Sequence, residues 1–148
     1  MAYIEPMSGP GYFRWNTGGW FGSQFGGTAW MLAGAVVLAR QAPDVAFIWL
    51  ACFAIANAIG WALWRRRDRL RPYPAIQALI ATCGSIGLIA LAAKHLLRPG
   101  LRMTPPMGID AADDLRSIVC LVAVFIGLTA YFHLMERSTR LQRSRSSG

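Results

Sequence analysis

At 148 residues the chain has room for one domain, and 55% of its residues are hydrophobic against 15% charged. The apolar residues gather in four blocks long enough to cross a bilayer, at about 18–39, 45–64, 74–97 and 116–135, which leaves no stretch for a separate water-soluble domain. The formal net charge of +8 sits in arginine clusters beside these blocks, so it reads as a membrane-topology signal, and no nucleic acid is expected as a partner.

Residues 1–17 mix Tyr3, Tyr12, Phe13 and Trp15 with Pro6, Gly9, Pro10 and Gly11. Proline and glycine oppose a long helix while the aromatics suit the headgroup layer, so an irregular interfacial segment is predicted on the cytoplasmic side. Asn16 or Thr17 is placed to cap the first span.

The first span carries two interleaved four-residue series, Gly18, Gly22, Gly26 and Gly19, Ser23, Gly27, which share one half of a helix with Gly34. Phe21, Phe25 and Leu32 fall on the other half. In water each glycine costs a helix roughly 1 kcal/mol relative to alanine. In lipid the backbone must bond to itself, so the helix persists and the glycines form a smooth face for close approach, as in a glycine zipper. A tight turn at Gln41–Asp44 then returns the chain beside itself. The second span bears small residues at Ala51, Ala54 and Ala58, continued by Ala62, and this stripe is expected to meet the glycine face in a close hairpin.

Arg65, Arg66, Arg67, Arg69 and Arg71 separate the second and third spans, with Trp61 and Trp64 at the adjoining boundary. Pro74 suits the first turn of the third span, which ends at Lys94 and His95, near enough to the outer surface to snorkel. The prolines and glycines of 98–115 mark a loop, and Asp110, Asp113 and Asp114 lead into the fourth span, where Asp110 can cap. The segment 137–148, rich in arginine and serine, is expected to be a disordered basic tail able to touch anionic lipid. With four spans, the arginine loop, the tail and Arg14 lie on one side. Ten basic residues there against five opposite place both termini in the cytoplasm, with plasma (inner) membrane as the expected location.

Cys52, Cys83 and Cys120 all lie in apolar blocks without a CxxC spacing, so buried free thiols are expected. His95 and His133 fall near opposite ends of their spans and cannot share a metal. No span holds a central carboxylate, and nucleotide-binding, zinc-protease and serine-hydrolase signatures are absent. Neither an enzyme nor a cofactor or metal site is therefore expected. What remains is a set of neutral polar side chains at one depth: Gln24, Asn57 and Gln77 from three spans, with Tyr131 from the fourth. Buried amides need partners, so these are expected to converge, either as a packing cluster or as a polar vestibule open to the cytoplasm.

The sequence thus predicts an all-α polytopic membrane protein: a four-helix up-down bundle over 18–136, with both termini inside. Its expected partners are the lipid bilayer and either further copies of itself or a larger membrane complex. Three roles follow: an oligomeric channel- or transporter-like protein, an accessory or assembly subunit with no activity of its own, and, third, a holin-like or stress-related lesion former suggested by size and basic tail.

Overall fold

The computed structural model describes residues 13–101 and 114–146, which form four helices: α1 (Thr17–Leu38), α2 (Pro43–Arg65), α3 (Pro72–Leu97) and α4 (Asp114–Ser146). The chain is all-helical. α2, α3 and the Arg116–Thr139 stretch of α4 are each long and apolar enough to cross a membrane. α1 has the length, 22 residues or about 33 Å. Its glycines, Ser23, Gln24 and Thr28 dilute its hydropathy, so by composition it is the least membrane-like of the four.

The helix starts follow from local chemistry. Asn16 caps α1, its side chain accepting from the Gly19 N–H at 2.8 Å, which satisfies one of the free amides of the first turn. Pro43 and Pro72 open α2 and α3, where a missing N–H costs nothing. α4 runs 33 residues, about 50 Å, and continues to Ser146, where a disordered tail is expected from Ser138. The reason is that residues 136–146 contain neither proline nor glycine, while Glu136, Arg137, Leu141 and Gln142 favour helix. Ser138, Thr139 and Ser144 donate back to carbonyls three or four residues earlier instead of opening the backbone.

α1 and α2 make the most extensive helix contact. α3 packs on α2 and touches α1, and the backbone of α4 approaches only α3. Side-chain hydrogen bonds tie neighbouring helices: Trp20 with Gly60 and Gln24 with Asn57 on α1–α2, Trp49 with Ala90 on α2–α3, Tyr73 with His133 and Gln77 with Thr129 on α3–α4. Two apolar cores result. One gathers Met31, Leu38, Val45, Trp49, Cys52 and Ala90 towards the α1–α2 turn. The other gathers Trp20, Ala75, Leu79 and Cys83 towards the arginine loop, with Trp15, Phe21 and Trp64 against it. Cys52 and Cys83 are buried thiols, whereas Cys120 faces outward. In the last turn of α3, Lys94 is buried and His95 is exposed. At the turn end, Arg98 pairs with Asp44 at 3.1 Å, an exposed tie between α3 and α2.

The small-residue stripes do not pack as expected within the chain. Gly18, Gly19, Gly22, Ser23 and Gly26 are exposed, Gly27 is half-buried, and nothing lies within 4 Å of the Cβ position at Gly22, Gly26 or Gly27. On α2, Ala54 and Ala58 are exposed as well, and Ala51 is half-buried. Only Gly34 of the set is buried. α1 instead turns inward Trp20, Gln24, Thr28, Met31 and Leu38, residues with area to bury or hydrogen bonds to satisfy. Glycines offer neither, so nothing draws them in.

Close approach occurs at three other glycines. A Cβ on Gly84 would lie 3.0 Å from the Phe125 ring, one on Gly87 2.9 Å from the Trp30 ring, and one on Gly60 2.5 Å from the Gln24 amide. Gly84→Leu should therefore lever α4 off α3 and destabilise the protein by about 1–3 kcal/mol, while Gly127→Leu, with open space at its Cβ, should leave thermal unfolding in detergent nearly unchanged. Equal melting of the two variants would show that Gly84 is not a docking point.

Candidate functional site

The polar side chains converge on the α1–α2 seam. Gln24 and Thr28, one turn apart on α1, are 2% and 0% exposed. Facing them, Asn57 and Gly60 occupy neighbouring positions on α2. The Gln24 amide nitrogen donates to the Asn57 backbone carbonyl at 2.8 Å and to its side-chain oxygen at 3.0 Å. Asn57 in turn donates to the Thr28 hydroxyl at 3.1 Å and to the Phe53 carbonyl at 2.8 Å. Thr28 donates to the Gln24 carbonyl at 2.9 Å, so the chain of bonds closes on itself. Such a network is stronger than its separate bonds because each polarises the next in a low-dielectric surrounding.

Two features complete the seam. Trp20 donates its indole N–H to the Gly60 carbonyl at 3.2 Å. The Gln24 Oε1 atom has no hydrogen-bond partner and lies 2.6 Å from where a Gly60 Cβ would stand. A glycine Cα hydrogen occupies that direction, so Oε1 faces a weak C–H donor instead of a methyl group. The orientation of the amide is dictated by its other end, because both Asn57 oxygens it meets are acceptors. Gly60 is thus the residue that lets Gln24 fit. An isolated glycine three residues after Asn57 is the signal for it in the sequence.

The other two expected members lie elsewhere. Gln77 reaches α4, donating to the Thr129 carbonyl at 3.4 Å. Tyr131 is 55% exposed and leans on Phe132. The four side chains therefore share no cavity: two are locked together at the α1–α2 seam and two belong to the α3–α4 side. Sequence reasoning also missed the Tyr73–His133 pair, whose hydroxyl and Nδ1 atoms are 2.8 Å apart across α3 and α4. Nothing in a 60-residue separation announces it.

The arginine loop sits on an aromatic floor. Trp15, Trp20, Phe21 and Trp64 contact one another with centroids 5.0–6.0 Å apart. The Arg65 guanidinium lies 4.2 Å over the Trp61 ring and that of Arg67 5.1 Å over Trp64. Arg66, Arg69 and Arg71 are exposed. A belt of indoles and guanidinium groups suits the junction between hydrocarbon and headgroups. Asp110 and Asp113 fall outside the described residues, as does most of the loop that contains them. Among the described residues no three His, Cys, Asp or Glu side chains gather as a metal site would require.

The chain matches no family model, no curated protein and no solved structure. Its chemistry rests on its own geometry.

Gly60→Ala should displace the Gln24 amide and break its bonds to Asn57, lowering stability by about 1–3 kcal/mol. Gly22→Ala and Gly26→Ala, with free space at both positions, should be neutral or slightly stabilising through helix propensity. Unfolding in detergent, followed by circular dichroism, distinguishes them. If Gly60→Ala melts with the wild type, the seam does not depend on that contact.

Proposed function

We propose that this protein is an integral membrane subunit with no catalysis of its own, which assembles through the uncovered small-residue face of α1. Further copies of itself or another membrane protein would supply the opposing helix. The observation that carries the reading is the contrast on α1. Its polar side chains are bonded inward to α2, while Gly22 and Gly26 stand exposed with none of the described residues within 4 Å of their Cβ positions. A bare glycine face offers lipid little to pack on, and a second helix can approach it closely.

A channel-like role with a cytoplasmic polar vestibule has less support. The Gln24 amide nitrogen is bonded to Asn57, which leaves its Oε1 without a hydrogen-bond partner among the described residues, while Gln77 bonds to α4 and Tyr131 is exposed there. The proposed setting keeps four spans with both termini in the cytoplasm of a plasma (inner) membrane. What supports α1 as a span is its pairing with α2 from Trp20–Gly60 through Gln24–Asn57 to the apolar contacts beside the turn. What supports the orientation is the arginine cluster at one end.

The test is the mass of the full-length protein in mild detergent, with any co-purifying chain identified. Gly22→Leu combined with Gly26→Leu should abolish assembly while leaving the melting of the single chain unchanged. A wild type that is monomeric and alone would overturn the reading, and ion flux in liposomes would restore the channel. Orientation is checked separately with the single-cysteine variants Asp68→Cys and Gly100→Cys. An impermeant reagent applied to intact cells should label only the second.

A further inference from the structure

Between α3 and α4 the surface opens into a groove of about 390 Å³, within the size range of small-ligand sites. It runs from Leu88 and Leu121 at one end to His133 at the other, with Gly84 and the Phe125 ring that packs on it in the lining. Leu121 and His133 are twelve residues apart on one helix, about 18 Å, close to the ~15 Å depth of one leaflet's hydrocarbon. The walls are apolar apart from Ser85, Thr129 and His133. At the far end the described lining side chains Leu88, Leu121 and Val122 are apolar, with the Ser85 hydroxyl one turn in from Leu88. The His133 end differs. There the Tyr73 hydroxyl meets Nδ1 of His133; when Tyr73 donates, the ring proton sits on Nε2 and is free to donate in turn. Arg137, one turn further along the same face of α4, is exposed. Glu136, its acidic neighbour, points about 100° away and is buried.

We propose that this groove seats one acyl chain of an anionic phospholipid, with the phosphate held at the His133 end by the imidazole and the Arg137 guanidinium. Apolar walls of leaflet length select the chain. A donor and a cation at one end only set its direction, because phosphate is recognised best by charge-assisted hydrogen bonds. The site is supplied by the leaflet at the arginine-rich end of the bundle, where the aromatic floor and the loop guanidinium groups also lie. The proposal rests on the membrane setting and not on assembly through α1, so either can fail alone.

Native mass spectrometry of the full-length protein, delipidated in an uncharged detergent and titrated with phosphatidylglycerol or phosphatidylcholine of the same chains, tests this. One phosphatidylglycerol should be retained per chain, with a rise in melting temperature, and phosphatidylcholine should bind about tenfold more weakly. Arg137→Gln should remove most of that preference while both lipids still bind. Ala130→Trp, or Ala81→Leu on the opposite wall should the first variant fold poorly, should fill the groove and abolish retention of both. Three results overturn the proposal: equal binding of the two lipids by the wild type, undiminished phosphatidylglycerol retention by both groove-filling variants, or a dimer that those variants dissociate, which would make the occupant a second copy.

Discussion

A carboxamide surrounded by hydrocarbon keeps two donors and an oxygen that no lipid chain can satisfy. Gln24 carries such a group into the middle of α1, and everything about the rotation of that helix follows from where its partners are. The Asn57 carbonyl and side chain, Thr28 and the bare Cα of Gly60 all lie on one line of contact with α2. Once Gln24 faces that line, Trp20 is brought over the Gly60 carbonyl, Met31 and Leu38 face the core beside the α1–α2 turn, and the glycines are carried to the outside. A slip of one residue would leave an amide in lipid, so the seam fixes register as well as rotation.

The indoles extend the same rule to the ends of the bundle. Trp15 donates to the Leu70 carbonyl, Trp20 to Gly60, Trp49 to Ala90 and Trp30 to Gly27. Three of these four cross from one segment to another, so large apolar rings are held in place by a single polar atom each. This is the compromise that tryptophan offers, apolar area for the core and one donor that finds a carbonyl. At the arginine loop two further indoles, Trp61 and Trp64, present their faces to guanidinium groups, and because Trp64 also packs against Trp15, Trp20 and Phe21, one cluster serves the interior and the interface.

Much of the fold was legible in the chain. Each helix begins within two residues of its expected block and α1, α2 and α3 end within one, whereas α4 runs on to Ser146, and Asn16 caps where its side chain says it should. The meeting of Gln24 with Asn57 was legible for the same reason that it matters: amides at one depth have few alternatives. The facing of the glycines was not. In water, periodicity separates inside from outside, but lipid is as apolar as leucine, so a stripe of small residues carries no statement about which way it turns. Gln77 and Tyr131 were grouped with the seam by depth alone. Depth says nothing about azimuth, and each had a nearer solution, the Thr129 carbonyl for one and the exposed surface for the other. The continuation of α4 past Ser138 was obscured by composition, since arginine and serine read as a tail even where no residue stops the helix.

Among the four helices, α3 alone has its backbone close to that of α4, and this bears on how the protein is made. A nascent chain delivers its helices to the membrane in order, and α1 and α2 can lock their seam before α3 has left the ribosome. α3 then adds to a pair that already exists. α4 arrives last, at a surface finished without it, and its docking closes no long loop around earlier helices. Each step pairs neighbours in the chain, so the ordering entropy is met in small increments. The half-made protein never has to hold open a gap for a helix still to come.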